Sequence, residues 1–132
     1  MKIKYTEDLS EITTEILNGG FFAGWRKEVS PEKHLQILKG SFKFWLALDE
    51  DVGLVVGFIN AVSDGVLSAY IPLLEVLPDY QKQGIGARLL QLMLGSLEDM
   101  YMIDLTCDPD KVRFYQKQGM FTWGAPMMKR NY

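Results

Sequence analysis

The chain has 132 residues with a net charge of -3 at pH 7, 48% of them hydrophobic and 23% charged, enough for one domain with a real core and too short for two. An acidic surface repels nucleic acid, and no apolar run approaches the roughly 20 residues that cross a bilayer, so neither a nucleic acid nor a membrane is expected as a partner. One cysteine excludes an internal disulfide framework, and one histidine beside it excludes the common zinc sites, so no metal is expected. A cytoplasmic setting fits, because the opening MKIKYTEDLSEITTEIL lacks the apolar centre of a signal peptide.

The elements alternate along the chain without repeat or linker. IKY reads as a first strand and TEDLSEITTEILNGG as a helix, capped by Thr6 and stopped at Gly19-Gly20. FFAGWRKEV fits no single pattern. SPEKHLQILKG is a cleaner helix, with Ser30 as cap, Pro31 in the first turn and Gly40 as stop. Three strands follow: FKFWLALD, then GLVVGFINAVSDG ending at the hairpin turn Asp64-Gly65, then VLSAYIPLLEVL running to Pro78. A helix from Gly84 to Asp99 places Leu89, Leu90, Met93, Leu94 and Leu97 on one side. MYMIDLTC is a strand of mixed polarity, and DPDKVRFYQKQG is a helix with Asp108 as cap that stops at Gly119. MFTWGAPMMKRNY can supply one or two terminal strands. This order predicts an α/β or α+β sandwich with a mixed sheet and helices on both faces.

One stretch needs a chemical reason. EVLPDYQKQGIGARLLQLML ends a strand at a proline, then sets Gln81, Lys82, Gln83 and a Gly-x-Gly at the first turn of a long helix. A helix start leaves amide N–H groups without partners and carries partial positive charge, and glycines let the backbone approach a bulky anion. The combination suits a pyrophosphate. It is neither of two familiar phosphate loops: Ala87-Arg88 stands where the P-loop needs Lys-Ser/Thr, and Leu89 where the dinucleotide fingerprint needs a third glycine. Taken alone, an isolated Gly-x-Gly reads first as two glycines, Gly84 and Gly86, that only ease a turn after Pro78.

In context, VLPDYQKQGIGARLL resembles the acyl-CoA signature of the GNAT superfamily of N-acetyltransferases. LTCDPDKVRFYQKQGMF resembles the later strand–helix unit of that family, with Met120 in place of its closing phenylalanine and Phe121 next. The resemblance covers essentially the whole chain. It implies a GNAT-like mixed, mostly antiparallel sheet flanked by helices, with acetyl-CoA as acyl donor and a small-molecule or peptide amine as acceptor. Homodimers are frequent in such families.

Carried over, Val76 and Leu77 offer backbone groups to the pantetheine arm where the strand splays from its neighbour. The amides of Gln81, Lys82, Gln83, Gly84, Ile85, Gly86, Ala87 and Arg88 hold the pyrophosphate, with added charge from Lys82 and Arg88 or with both simply solvated. Tyr115 matches the tyrosine that sits beside the thioester sulfur in many members. A phenol with a pKa of about 10 stays protonated at neutral pH and can protonate departing thiolate; the competing reading is an aromatic pair with Phe114.

Glu75 stands alone in IPLLEVLP. Alternation puts it on the face of Ile71, Leu73 and Leu77, where desolvation would raise its pKa and fit it to take a proton from an ammonium. Asp104 competes for that role, with Tyr70 and Asp79 behind it. Cys107 reads as a small buried thiol, and His34 lies on its helix at surface spacing. Trp25, Trp45 and Trp123 read as core or pocket wall; the resemblance places the acceptor-pocket wall in the segment of Phe21, Phe22 and Trp25, which implies a partly apolar acceptor. The expected function is direct acetyl transfer to a primary amine in a ternary complex. The alternatives are a non-catalytic acyl-CoA sensor and a protein-interaction domain.

Overall fold

Five strands and three α-helices form the chain in a computed structural model that describes residues 1–131. The strands are β1 (Ile3–Thr6), β2 (Lys43–Asp49), β3 (Leu54–Ser63), β4 (Ser68–Val76) and β5 (Met102–Asp104). They lie in sequence order in one sheet, antiparallel except for the β4–β5 pair, which is parallel. The mixed, mostly antiparallel sheet expected from the sequence is therefore present.

Each face of the sheet carries its own core. On one, α2 (Ile85–Ser96) packs Ile85, Leu89, Leu90 and Met93, with Leu97 just beyond it, against Ala47, Val56, Ile59, Ala61 and Ile71. These side chains are essentially sealed from solvent, and each fully buried one contributes about 1.5–3 kcal/mol. The helix lies close because β3 has Gly57 beneath it: a Cβ there would stand 3.1 Å from Leu89 Cδ1 and 3.3 Å from Ile85 Cγ2. On the other face, α1 (Pro31–Gly40) sets Leu38 against Leu46, Val55 and Phe58. Ser30 caps α1 as expected, its side chain accepting from Lys33 N at 3.1 Å. The last helix, α3 (Val112–Lys117), is short, and its predicted cap Asp108 instead precedes a 3₁₀ turn at Pro109–Lys111 without a side-chain capping bond.

Three expectations are corrected here. Residues 7–24 form irregular chain and turns, not a helix. Their short polar side chains bond locally, Thr6 Oγ1 taking the N–H of Asp8 and Asp8 Oδ1 that of Ser10, which competes with helix propagation. The Ile16 carbonyl is spent on Val55 N at 3.0 Å, tying the segment to the start of β3. The second correction is the terminal segment: residues 120–131 form no strand, and Phe121 and Trp123 are 80% and 90% exposed. The third is the strand in MYMIDLTC, which shrinks to three residues.

Candidate acyl-CoA cradle and acceptor pocket

The stretch after β4 is locked before the helix starts. Pro78–Tyr80 make one 3₁₀ turn, and Tyr80 Oη donates to Asp49 Oδ2 at 2.7 Å, pinning that turn to the end of β2. Lys82 and Gly84 then both take left-handed backbone, φ +61° and +86°, before α2 begins at Ile85. Left-handed residues in alternation turn successive N–H groups toward one side, the arrangement of an anion nest. Gln81 N is bonded to Pro78 O and Arg88 N to Gly84 O, but the amides from Lys82 to Ala87 find no acceptor among the described residues. The loop itself is exposed. A run of free donors at the positive end of a twelve-residue helix is built for a multiply charged anion.

Beside this cradle the sheet opens. β5 pairs with β4 only at Ser68, Ala69 and Tyr70, so β4 from Ile71 to Val76 has no strand on that side. Antiparallel pairs exchange their hydrogen bonds alternately. Leu77 N donates to Val56 O at 2.9 Å, which turns the backbone groups of Glu75 toward β3 and those of Leu74 and Val76 toward the opening. Val76 O there accepts from Gln81 Nε2 at 2.9 Å, a bond that an incoming amide would replace. The opening ends at the helix start, where a Cβ on Gly86 would lie 3.7 Å from Val76 Cγ2 and 3.6 Å from Phe114 Cζ of α3.

Tyr115 follows Phe114, its ring set edge-on to it with centroids 5.0 Å apart, and packs against the α2 core. Burial, with a smaller contribution from Cys107, pushes its phenol up to about 12. The hydroxyl has no hydrogen-bond partner among the described residues and stays protonated across the physiological range.

Glu75 faces the other side of the sheet, for a reason that simple alternation misses. The β3–β4 register slips between Asn60 and Val62, so Ile71 and Pro72 together oppose one residue. A proline that cannot donate to the ladder is a natural site for such a bulge. Past it, Leu74 and Val76 join Ile71 on the α2 face, whereas Leu73 packs with the α1 core. Glu75 shares that second face: Phe22 N donates to its Oε1 and Oε2 at 3.0 and 3.3 Å. Half-buried there, its carboxyl is raised by desolvation, with the Phe22 N–H opposing.

Phe22 belongs to a cavity of about 420 Å³ between residues 17–31 and the start of α1, walled by Leu17, Phe21, Phe22, Trp25, Val29 and Pro31. His34 also lines it and is 1% exposed, which corrects the surface placement read from its helical spacing. The imidazole packs among Phe21, Phe22 and Phe58 at centroid distances of 5.2, 5.1 and 4.3 Å. Neither ring nitrogen has a hydrogen-bond partner among the described residues, and burial lowers its pKa to about 4.

The sequence profile described as the acetyltransferase (GNAT) family matches residues 10–120. The chain belongs to that family. It is 42% identical to a Deinococcus radiodurans R1 crystal structure assigned to the acetyltransferases, with a TM-score of 0.90 over 97% of this chain and 88% of that one. A GNAT family acetyltransferase structure from Streptococcus pneumoniae TIGR4 is 32% identical, with a TM-score of 0.72 over 98% of both chains. The uncharacterized N-acetyltransferase ycf52 of Gracilaria tenuistipitata var. liui is 37% identical over 70 residues, 52% of this chain and 38% of that protein. The chain thus spans well under half the length of that relative.

Other expected site residues of this GNAT chain fall away from the opening. Leu77's amide is committed to β3. Arg88 exerts its charge on Tyr5 of β1. Asp104 pairs with Tyr70 and is exposed, five residues along β4 from Glu75, or about 16 Å. Tyr70 Oη is engaged with Thr106 Oγ1 at 2.9 Å, and Asp79 sits exposed in the 3₁₀ turn. Cys107 is exposed, not buried, and slight desolvation together with the nearby charges of Asp108 and Asp110 raises its pKa, which disfavours the nucleophilic thiolate. Trp25 lines the cavity, Trp45 donates to Ser96 Oγ at 3.0 Å, and Trp123 stands in solvent. Among the described residues no group of histidine, cysteine and carboxylate side chains could hold a metal.

Proposed function

We propose that this protein is an N-acetyltransferase that moves the acetyl group of acetyl-CoA to a primary amine by direct attack in a ternary complex. The observation that carries the reading is the run of unpartnered amides from Lys82 to Ala87 lying beside the unpaired edge of β4. The first fits a diphosphate, and the second fits an amide-bearing arm laid along the strand like an added one. Together they direct a thioester into the sheet between Glu75 and Tyr115.

The chain's own groups then divide the proton work. An amine arrives as ammonium and must lose a proton to become a nucleophile. Glu75 is half-buried, and desolvation raises its pKa, so it is a stronger base than an ordinary carboxylate. An ammonium would replace the Phe22 N–H as its partner. The backbone N–H groups of Leu74 and Val76, turned into the opening, are placed to stabilise the developing oxyanion. Tyr115 supplies a proton to the leaving thiolate. Ordering amine and thioester in one site provides much of the rate. The exposed thiol of Cys107 suits a reducing compartment.

The test is calorimetry with CoA, followed by assay of free thiol released from acetyl-CoA in the presence of primary amines. Binding with release supports the reading, and CoA at 100 times its dissociation constant should stabilise the fold by about 2.7 kcal/mol. Binding without release over a broad amine panel would reassign the chain as an acyl-CoA sensor. Absence of binding at millimolar CoA would remove the cradle.

A further inference from the structure

The proposed transfer leaves one buried polar group unused. His34 is the only histidine of the chain, is sealed from solvent, and has no hydrogen-bond partner at either ring nitrogen among the described residues. An orphaned buried polar group costs free energy of about 1–3 kcal/mol. It lies at the wall of the cavity described above, whose lining includes six aromatic or aliphatic side chains, Leu17, Phe21, Phe22, Trp25, Val29 and Pro31.

We infer that this cavity takes the non-reacting end of the amine acceptor, and that this end is an aromatic or branched apolar group bearing a hydroxyl that pairs with His34. The inference rests on the proposed acetyl transfer and deepens it. A volume of about 420 Å³ is near the small end for ligand pockets and suits a single ring with a short chain. The charged side chains on its wall are one cation, Arg26, and one anion, Glu28. A sugar phosphate would call for clustered cations and a polyamine for clustered carboxylates, and neither cluster is there.

The hydroxyl follows from the imidazole. Neutral histidine offers one N–H donor and one bare acceptor nitrogen, and a hydroxyl can pair with either. A carbonyl could use only the first and an ammonium only the second. Access is provided by the chain between them. Gly20, Phe22 and Gly24 all have positive φ, at +114°, +66° and +82°, and Phe22 is fastened to the sheet through Glu75. When an ammonium takes Glu75, Phe22 is freed, and its ring, now edge-on to the imidazole, can swing from the path to His34.

The sole histidine makes this directly observable. Tyramine, phenethylamine and spermidine are added to the full chain with CoA bound, and the two imidazole nitrogen resonances are followed by NMR. Tyramine should shift them, and its kcat/KM for thiol release should exceed that of phenethylamine by about tenfold or more, as loss of a buried hydrogen bond predicts. His34→Leu should bring that ratio close to 1. Leucine removes an orphaned polar group, so this variant should fold. If other amines turn over while tyramine neither moves the nitrogens nor is preferred, His34 is a packed ring and the inference falls, with acetyl transfer intact. If none of these amines releases thiol, the broad amine panel decides the transfer reading and the nitrogens decide the site: a shift with tyramine sustains the hydroxyl site, and no shift sinks it.

Discussion

The Glu75 carboxylate holds the backbone N–H of Phe22 with both oxygens, and Phe22 carries a left-handed backbone, φ +66°, that a phenylalanine rarely adopts. One side chain thus fixes the cavity wall and, in the proposed transfer, also serves as the base. Its two duties can be separated. Glu75→Gln keeps an oxygen for the Phe22 N–H but cannot accept a proton, so the fold should persist while kcat drops by about 100-fold or more. Glu75→Ala also releases the wall and should cost about 1–2 kcal/mol of unfolding free energy and raise the acceptor KM. Urea titration and thiol-release kinetics on both variants check this.

On the proposed transfer, the same residue should set the pH profile. A base works when ionised, so the wild-type rate should rise with pH through the raised pKa of Glu75 and then level off. In Glu75→Gln the rate should instead track the amine's own ionisation, near pH 10 for an alkylamine. Identical profiles for the two proteins would move the base elsewhere.

Tyr115→Phe deletes one oxygen that has no partner in the fold, so stability should change little. Turnover should fall by about 100-fold, with the CoA dissociation constant nearly unaltered. Because burial pushes the phenol up to about 12, the wild-type enzyme should show no loss of activity from tyrosine ionisation up to pH 10. A wild-type kcat in the variant would return Tyr115 to packing beside Phe114.

Much of this site was written in local sequence. Gly84 is required where φ is +86°, Ser30 caps α1, and the leucines of α2 recur at the spacing that buries them. Those signals are local, and the cradle they build is local too. What the sequence concealed depends on partners far along the chain. The segment from Thr6 to Gly20 looks helical, yet the N–H groups of Asp8 and Ser10 are taken by side chains and the Ile16 carbonyl by Val55. The bulge at Ile71-Pro72 shifts every later side chain of β4 by one face, so Glu75 could not be placed by counting, although Pro72 was a usable hint. His34 occupies a polar-looking helical position, and only the aromatic segment folded over it makes that position interior.

The cradle makes a prediction through its two glycines. A Cβ on Gly86 would meet Phe114 and Val76 at ordinary contact distance, so Gly86→Ala should fold and bind CoA almost normally. Gly86→Glu adds bulk and negative charge beside the free amides and should abolish binding. Gly84 has open space around it but a left-handed φ, so Gly84→Ala meets backbone strain of about 1 kcal/mol, not a clash. That strain disturbs the nest itself, and CoA affinity should weaken more than stability does. Calorimetry beside thermal melts of the three variants separates the effects; intact affinity in a folded Gly86→Glu protein would refute the placement of the phosphates.

His34 ties the buried wall to acid stability. Its folded-state pKa is lowered to about 4 while the unfolded chain titrates near 6.5, so between those values the unfolded state binds more protons. Unfolding free energy should therefore be unaffected by His34 above pH 6.5, decline as pH falls toward 4, and be insensitive to it below. The slope in the window approaches about 1.4 kcal/mol per pH unit. Other groups titrate in the same range, among them Glu75, whose raised pKa acts with the opposite sign. The difference between wild type and His34→Leu cancels them, because only the imidazole is removed. Urea unfolding at half-unit steps from pH 4 to 8 should show the two stability curves parallel above 6.5 and diverging below it, with the leucine variant the more acid-resistant. Curves that stay parallel down to pH 4 would mean that the ring takes up its proton without leaving the fold, and that the cavity wall opens more readily than its packing indicates.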